Sequence, residues 1–554
     1  MNKVLFSMIA LFACYSCRST KLIYRYPELS RYNYDTLNLL VEQDSLRTLS
    51  DSYLRREKFG NWEIYLSGEP RQLGASMGRL SQDLYQRQER IFINKLLEDI
   101  PSVRKRKWIM RFVRWYNRNL EQYIPDPYLL EIYALSNYLN DDFDYLGTAY
   151  QRTLWMHAAH DIGHALQDLA IVGCSSLAVW GDQTADGKLL IGRNLDFYMN
   201  DAFAEQKMIY FVRPADGIPY MSVAWPGMIG VLSGMNLEGL TVTLNAGKSS
   251  VPLSAKTPIS LVARTVLQHA STIEEAIAIV RKQKVFVSES LMIGSAKDKR
   301  AIILELSPRK MEIVEPSSNR LLCTNHFQGS GFEQDRRNKK HIMGSHSLYR
   351  YQKLEELLDG KNKVTPADVA GMLRDKSGKN GISIGFGNDK SLNHLLAHHG
   401  IIFQPEDRRV YVSNNPGQMG AFIAYDLRTV FSKSWQDHPS FGIDSLRIEA
   451  DDFIHSRNYQ DFYLFKQSTA RYLSMLNTEI VQISSSELSE YIALNPDLWL
   501  GYYISGRILY LKQDYKKAQF YFEEALKREI PTVKIQKEIQ DYVKKSTVQW
   551  KKMQ

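Results

Sequence analysis

Two short stretches decide the fold: residues 173–180 read GCSSLAVW, and residues 187–197 read GKLLIGRNLDF. Each carries an aliphatic run of strand length, and the polar residues between them are typical of a turn. The pattern therefore predicts a β-hairpin that returns the chain to its starting point. In such a hairpin, Arg193 and Asp196 lie beside Cys174.

Cys174 is a candidate nucleophile, because a thiolate attacks carbonyl groups and a neighbouring positive charge lowers the pKa of a thiol. Arg193 could supply that charge, and Asp196 could hold a protonated amine. Taken alone, these residues also fit a buried, inert cysteine next to a surface Arg–Asp pair. The hairpin by itself leaves both interpretations open.

Outward from the hairpin, the chain divides by pattern into three regions. Residues 18–173 are mostly helical in pattern, with one strand-like run at 62–66. Residues 173–428 alternate short β-rich runs with helical segments, which favours an α+β fold of layered sheets faced by helices. Residues 450–554 are helical again. A chain of 554 residues also exceeds the usual size of one hydrophobic core.

Four further motifs follow the hairpin: GMNLEGL at 234–240, LNAG at 244–247, CTNHF at 323–327 and SLYRY at 347–351. Together with the hairpin they resemble the penicillin acyltransferase family of N-terminal-nucleophile hydrolases, which is related to the bile-salt (choloylglycine) hydrolases. The resemblance spans residues 60–430. It implies an αββα sandwich.

The resemblance also implies that the chain cuts itself between Gly173 and Cys174, so that the freed α-amine of Cys174 can accept the thiol proton. The activity implied is hydrolysis or acyl transfer at a linear amide bond of a small N-acyl substrate, through a thioester and without a cofactor. The roles implied for the other site residues are thiolate stabilisation by Arg193, orientation of the α-amine by Asp196, oxyanion binding by Asn245, and a polar wall formed by Asn325 and Arg350.

The expected domains are a signal peptide at 1–17, a mostly helical segment before the cut at 18–173, a catalytic domain at 174–430 and a helical region at 450–554. We expect the 18–173 segment to stay attached after the cut and to contribute to the fold.

The helical region contains one stretch, residues 495–531, that resembles a tetratricopeptide repeat. Its small and aromatic positions also fit an ordinary amphipathic helix pair. The region is therefore expected to be either a docked cap or a surface for a protein partner. The positions concerned are Gly506, Ala518, Phe522 and Ala525.

The first residues indicate export. A basic stub at 1–3 and an apolar stretch at 4–13 precede Cys14 and Cys17, which resembles a bacterial lipoprotein signal. Acylation of Cys14 or Cys17 would anchor the protein to a membrane of the cell envelope; a plain cleaved signal peptide is the alternative. The net charge of +9 permits contact with anionic surfaces, but no dense basic tract with interleaved aromatics favours nucleic acid.

Two groups of histidines raise the question of a metal ion. Those at 157, 160 and 164 share helical spacing, and those at 394, 398 and 399 precede a predicted strand. No carboxylate-rich second set accompanies either group, so we predict neither a metal nor another cofactor. The main alternative to an enzyme is a catalytically silent, envelope-tethered binding protein that uses the same cleft and the helical tail.

Overall fold

The structure is a computed structural model that describes residues 41–43, 46–166, 171–198, 200–250, 254–432 and 440–554. The predicted signal peptide, with Cys14 and Cys17, lies outside these residues. No helix within the described ranges is long and apolar enough to cross a membrane.

The elements are numbered in chain order. The strands are β1 Val41–Gln43, β2 Leu46–Leu49, β3 Ser52–Arg56, β4 Trp62–Gly68, β5 Ile171–Val172, β6 Ser175–Val179, β7 Leu190–Leu195, β8 Phe197–Tyr198, β9 Met208–Pro214, β10 Tyr220–Ala224, β11 Ser233–Asn236, β12 Leu240–Ala246, β13 Glu289–Ser295, β14 Arg300–Leu306, β15 Met311–Val314, β16 Arg320–Cys323, β17 His399–Gln404, β18 Arg409–Ser413, β19 Phe422–Asp426 and β20 Ile443–Ile448.

The helices are α1 Pro70–Leu80, α2 Gln82–Asp99, α3 Val103–Tyr116, α4 Asp126–Ser136, α5 Ala149–Leu166, α6 Asp201–Glu205, α7 Ile259–His269, α8 Ile273–Arg281, α9 Arg336–Gly344, α10 Ser347–Asp359, α11 Pro366–Leu373, α12 Leu427–Ser432, α13 Arg457–Thr478, α14 Ser485–Ala493, α15 Trp499–Leu511, α16 Tyr515–Leu526 and α17 Val533–Met553.

Two large sheets are formed by the described residues. The larger has the order β1-β2-β3-β4-β9-β10-β11-β12-β13-β14-β15, and the smaller has the order β16-β6-β7-β17-β18-β19-β20. The predicted hairpin is confirmed as β6 and β7, which pair antiparallel with Ser176 opposite Arg193. It lies inside the smaller sheet, between β16 and β17.

One apolar core lies between the two sheets. Ile209 and Phe211 of β9 enter it from the larger sheet, and Ile401 and Phe403 of β17 enter it from the smaller sheet. Successive side chains of a strand point to opposite faces, so the alternate residues of β9 belong to another core on the outer face of the larger sheet, which helices cover. Those residues are Met208, Tyr210 and Val212.

A third core covers the outer face of the smaller sheet, where Leu177 of β6 packs with Leu354 of α10 and Leu373 of α11. Helix α11 lies so close that a Cβ at Gly192 of β7 would be 2.2 Å from a methyl group of Val369. The order of layers is therefore helix, sheet, sheet, helix. The expected αββα sandwich is confirmed.

The segment before the hairpin contributes helices and strands to this sandwich. Helices α1 and α4 pack on the larger sheet, where Leu73 and Leu135 join the outer core. The sequence pattern predicted one strand, at residues 62–66, and β4 occupies it. The structure adds β1, β2 and β3, and β4 pairs in parallel with β9 over seven residues, from Trp62 opposite Met208 onwards.

The C-terminal helices α13 to α17 have a core of their own, which includes Phe465, Tyr491 and Ile539. A Cβ at Gly506 of α15 would lie 2.7 Å from the ring of Phe522 in α16, so these two helices are in close contact. The helical C-terminal region is thus confirmed, while its likeness to a tetratricopeptide repeat stays a prediction. Strand β20 extends the smaller sheet past the expected domain boundary at residue 430.

Candidate functional site

Cys174 lies directly before β6, and its side chain is only 1% exposed. The Nη2 atom of Arg193 is 3.6 Å from the sulfur. Burial raises the pKa of the Cys174 thiol, while the Arg193 charge and the backbone N–H of Asp196 lower it. The thiol is therefore protonated in a closed site that already contains the charge needed to stabilise a thiolate.

Strand register explains why Arg193 reaches this sulfur. Ser176 pairs with Arg193, and Cys174 lies two residues before Ser176 on the same face of the chain. The two side chains are thus diagonal neighbours, within reach of a long arginine. Arg193 also donates to the backbone carbonyls of Leu232, at 2.9 Å, and Leu244, and to the hydroxyl of Ser233.

Ser233 connects Arg193 to a pair of buried histidines. Its Oγ lies 2.9 Å from Nε2 of His399, whose Nδ1 lies 2.9 Å from Nδ1 of His398. Burial lowers the pKa of His398 to about 3 and that of His399 well below its usual value. Both rings are therefore neutral at pH 7, so this chain of contacts orients Arg193 without adding charge.

Arg350 of α10 holds the backbone at the predicted cleavage point. Its Nη1 donates to the carbonyl oxygen of Gly173 at 3.1 Å, to that of Cys174 at 2.7 Å and to Oγ of Ser175 at 2.8 Å. Its Nη2 donates to Oδ1 of Asn325 at 2.6 Å. One guanidinium therefore connects α10, the segment that follows β16 and both carbonyls of the Gly173–Cys174 junction.

Asp196 is fully buried next to this junction. Neither carboxyl oxygen has a hydrogen-bond partner among the described residues. Burial raises the pKa of Asp196 to about 7, although the charges of Arg350 and Arg193 oppose this effect. The Nδ1 atom of His394 lies 3.9 Å from Oδ2 of Asp196.

The two predicted asparagines border the same site. Asn245 of β12 accepts from Ser176 Oγ at 2.8 Å and donates from Nδ2 to the Cys323 carbonyl at 3.2 Å. Asn325 donates from Nδ2 to the Ala246 carbonyl at 3.1 Å. The structure therefore brings all six predicted residues together. In this structure, however, the Asn245 amide nitrogen is directed to a backbone carbonyl.

Several buried polar residues near Cys174 were not predicted. Glu289 of β13 is fully buried, and burial raises its pKa well above the usual range, with Asp161 of α5 adding to the effect. A glutamate that opens the apolar run ESLMIGS is a signal that sequence inspection could have used. Asp389 was missed, and His394 was considered only as a metal ligand, because both lie in an irregular loop with no recognisable motif.

Two of the histidines considered as metal ligands, His160 and His164, lie outside the residues described with their side chains. The others have other contacts. His157 is within 2.8 Å of the Thr153 carbonyl and accepts from the Ile229 backbone N–H at 3.0 Å, so both ring nitrogens bond to the backbone. His394 contacts the junction and His399 contacts Ser233. Among the residues described with their side chains, no cluster of three or more His, Cys, Asp or Glu fits a metal ion.

One family model matches part of the chain. Residues 183–416 match the family model described as acyl-coenzyme A:6-aminopenicillanic acid acyl-transferase. This range includes five of the six predicted site residues and begins after Cys174.

Two curated proteins match with lower coverage. One is an uncharacterized protein of Archaeoglobus fulgidus, 25% identical over 271 residues that cover 46% of this chain and 45% of that protein. The other is protein dcd1B of Dictyostelium discoideum, 22% identical over 270 residues that cover 45% of this chain and 51% of that protein. The chain thus spans about half the length of the curated relatives it matches.

Two solved structures are also similar. The Caenorhabditis elegans ortholog of N-acylethanolamine-hydrolyzing acid amidase shares 18% identity, with a TM-score of 0.31 and coverage of 42% of this chain and 93% of that chain. A mutant of conjugated bile acid hydrolase from Clostridium perfringens shares 12% identity, with a TM-score of 0.30 and coverage of 46% of this chain and 93% of that chain.

Proposed function

We propose that Cys174 is the nucleophile of an enzyme that hydrolyses or transfers acyl groups at amide bonds. The match of residues 183–416 to the model of the acyl-coenzyme A:6-aminopenicillanic acid acyl-transferase family supports this activity. Self-cleavage at Gly173–Cys174 makes Cys174 the first residue of the catalytic chain. The substrate is a small N-acyl amide, and the reaction passes through a thioester on Cys174. No cofactor takes part.

The observation that carries this proposal is the hydrogen bond from Arg350 to the Gly173 carbonyl oxygen, at 3.1 Å. A guanidinium at this oxygen polarises the carbonyl and stabilises the negative charge that develops when a nucleophile attacks. The thiol of Cys174 belongs to the next residue, and Arg193 lies beside it. Electrophile and nucleophile therefore each have a cationic partner.

The steps of self-cleavage balance without any added reagent except water. The Cys174 sulfur bonds to the Gly173 carbonyl carbon, the peptide C–N bond breaks, and the thiol proton passes to the departing nitrogen. Water then attacks the thioester, which releases the Gly173 carboxylate and restores the thiol. The new α-amine of Cys174 becomes an ammonium group.

Asp196 supports the second half of this proposal. In the uncut chain it is a buried carboxyl whose oxygens lack hydrogen bonds within the described ranges. A buried ionised carboxyl without a partner is unfavourable, and the ammonium formed by the cut would supply that partner. The neutral form of this α-amine then accepts the thiol proton in each catalytic cycle.

Turnover repeats the chemistry on a substrate. The thiolate attacks the amide carbonyl, the amine leaves with a proton from the α-ammonium, and the acyl group remains on sulfur. Water completes hydrolysis, or an acceptor amine completes transfer. Asn245 and Asn325 stand at the polar side of the site, where an amide N–H that exchanges its present carbonyl partner for the oxyanion stabilises the intermediate.

The test uses the purified full chain on denaturing gels, with N-terminal sequencing of the heavier piece. We expect two pieces, the heavier one beginning at Cys174, and an intact chain for Cys174→Ala. The matched control is Cys323→Ala, since Cys323 is equally buried and lies in the adjacent strand β16. A wild-type chain that stays whole under all conditions, with no acyl adduct on Cys174, would refute the proposal.

The substrate class is tested with a panel of N-acyl amides. The expected result is an acyl mass on the Cys174 peptide together with release of the amine, both absent in Cys174→Ala. Amides that bind without ever acylating Cys174 would favour the silent binding protein instead.

We further propose that the protein is exported and lipid-anchored in the bacterial cell envelope through Cys14 or Cys17, and that the C-terminal helices can contact a protein partner. The first proposal is checked by metabolic labelling with a fatty acid in Cys14→Ser and Cys17→Ser variants. Loss of label in one variant identifies the acylated residue. Retention of label in both, or no label in wild type, contradicts the lipid anchor.

A further inference from the structure

The C-terminal helices touch the catalytic domain at an irregular loop, residues 382–394, that also reaches the Gly173–Cys174 junction. From this arrangement we propose that Asn495 and Glu529 are positioning residues for the reaction, which they affect through the 382–394 loop. This inference rests on the proposed function, since it assigns these residues to self-cleavage and turnover. It gives the helical region a task inside the enzyme, in addition to any partner it contacts.

Asn495, in the turn between α14 and α15, forms the first contact. Its Nδ2 donates to the Phe386 carbonyl at 2.9 Å, and its Oδ1 accepts from the Phe386 N–H at 3.1 Å. Asn495 is 2% exposed. One buried amide thus satisfies both backbone groups of a loop residue that has no sheet neighbour, and its loss would leave those groups unpaired.

Glu529, which follows α16, forms the second contact. Its backbone carbonyl accepts from Asn388 Nδ2 at 2.8 Å, and its carboxylate accepts from Lys390 Nζ at 2.5 Å. Between the two contacts the backbones approach closely: a Cβ at Gly385, where φ is +81°, would lie 2.4 Å from the backbone nitrogen of Leu498. The outer half of the loop is therefore held by the helical region.

The inner half of the loop forms a wall of the site. A Cβ at Gly173 would lie 2.3 Å from Cε1 of His394, so the imidazole rests directly on the residue whose carbonyl is attacked. Asp389 is partly buried. Burial raises the pKa of Asp389 to about 6 while the charge of Arg350 lowers it, and the charge of Asp389 in turn raises the pKa of Asp196. Both residues affect the groups that the reaction uses.

Hydrogen bonds restrain the loop between its outer and inner halves. Ser391 Oγ donates to the carbonyls of Asn388, at 2.8 Å, and Asn393, at 2.9 Å. The Asn393 N–H donates to the Asp375 carbonyl at 2.8 Å. Because the two Ser391 bonds bind the loop to itself, a shift at the helical contacts is transmitted to His394 and Asp389 instead of being absorbed between them. The bond to Asp375 restrains the inner end of the loop from the segment after α11.

The test compares Asn495→Leu with Tyr491→Phe in the full chain. The leucine keeps the approximate size of asparagine and removes both hydrogen bonds to Phe386. The control removes the buried bond from Tyr491 to Thr469, 2.7 Å long, in the same helical region and away from the loop. Each chain is made by cell-free synthesis, and the first-order rate of self-cleavage is followed on denaturing gels from pH 5 to 9.

For Asn495→Leu we expect the rate of self-cleavage to fall about tenfold or more, which corresponds to an activation barrier higher by about 1.4 kcal/mol. We also expect the pH dependence of this rate to shift. The profile reports Asp196, which is faced by Cys174, Arg193, Arg350, Asp389 and His394. Tyr491→Phe should change the melting temperature and leave rate and profile as in wild type. Asn495→Asp, which keeps the acceptor for Phe386 N–H, should give an intermediate rate and serves if the leucine variant does not fold.

The inference is overturned if Asn495→Leu and Glu529→Gln melt earlier yet cut at the wild-type rate with the wild-type pH profile. If wild type itself does not cut, the proposed function fails. The positioning role is then tested by measuring the rate of Cys174 alkylation by iodoacetamide as a function of pH. A profile shifted in Asn495→Leu but not in Tyr491→Phe supports the role. Identical profiles in the two variants and the wild type reject it.

Discussion

The helical layer and the cysteine site both bury arginines, but they neutralise the charge differently. In the helical layer, Arg264 and Glu131 are each 2% exposed and form an ion pair at 2.7 Å. At the cysteine site, Arg193 and Arg350 are fully buried, donate to backbone carbonyls, and have no carboxylate within ion-pair distance in the described part of the chain.

This difference separates structural from functional charge. An ion pair in the interior satisfies two desolvated groups with each other, and breaking it leaves one charge alone. The charges of Arg193 and Arg350 instead face the sulfur and the Gly173 carbonyl, where negative charge would develop only during the proposed reaction. A charge that is paired with an opposite charge in the ground state stabilises the fold. A charge that gains such a partner only in the transition state accelerates the reaction.

The largest expected effect that sharpens this comparison is on the rate of self-cleavage. Arg350→Met removes the donor to the Gly173 carbonyl, and losing one such donor slows a reaction by about 10²–10³-fold. The rate of self-cleavage is measured by densitometry of denaturing gels after cell-free synthesis. Arg320→Met, which removes a partly exposed arginine paired with Asp359, should cut like wild type; a fast cut in Arg350→Met would break the distinction.

The converse prediction concerns Arg264. Arg264→Met leaves Glu131 buried without its partner and should lower the free energy of unfolding by about 3–5 kcal/mol, measured by urea denaturation of the uncut Cys174→Ala chain. Replacing Glu131 by leucine as well should recover most of the loss. In the Cys174-containing chain, the folded fraction of Arg264→Met should still cut at the wild-type rate, and a slow cut would place Arg264 in the reaction.

A smaller, pH-dependent effect is expected for Asp196. Its pKa is raised to about 7 in the folded, uncut chain, so the folded state binds more protons than the unfolded state between about pH 4 and pH 7. Stability from this group is therefore full at low pH and falls as pH rises through 7. In the Cys174→Ala background, Asp196→Asn should become relatively more stable over that range, by at most about 1.4 kcal/mol per pKa unit.

Urea denaturation at pH 4, 6 and 8 measures this difference. Asp541→Asn, an exposed carboxyl in α17, is the matched control and should show no pH-dependent change. A constant difference between Asp196→Asn and its parent across the range would mean that Asp196 is not strained by burial in the uncut chain.

The smallest effect is expected for Ser233, which contacts both Arg193 and His399. Ser233→Ala removes one of several hydrogen-bond acceptors of Arg193. The loss of one hydrogen bond corresponds to about 1 kcal/mol, so we expect the rate of Cys174 alkylation to fall about fivefold. Ser295→Ala, a buried serine of β13 away from the sulfur, should leave the rate unchanged. A Ser233→Ala chain that reacts as fast as wild type would show that the backbone carbonyls alone orient Arg193.

Sequence patterns predicted the features that depend on residues close together in the chain. The β6–β7 hairpin follows from two aliphatic runs around a polar turn, and its register brings Arg193 to Cys174 without any distant contact. Arg350 lies far along the chain from Gly173, so only the family resemblance linked them. The same resemblance predicted the αββα order of layers. Periodicity alone predicted only layered sheets faced by helices.

The failures have physical causes as well. Strands β1 to β3 are short and carry polar and charged residues, so they lack the apolar alternation that indicates a strand. The neutral His399 contacts Ser233 directly and His398 contacts His399, and no sequence pattern shows which ring nitrogen meets which partner. Asp389 and His394 depend on the path of an irregular loop that distant helices hold.

Strand β4 precedes the proposed cleavage point and β9 follows it, yet they are neighbours in the middle of the larger sheet. If the peptide bond is cut as proposed, seven pairs of residues would still join two separate polypeptides. Unfolding would then become a dissociation: refolding would be bimolecular, and thermal stability would depend on protein concentration. Before the proposed cut, the two strands pair as parts of a single molecule, and the sheet would be harder to assemble again afterwards.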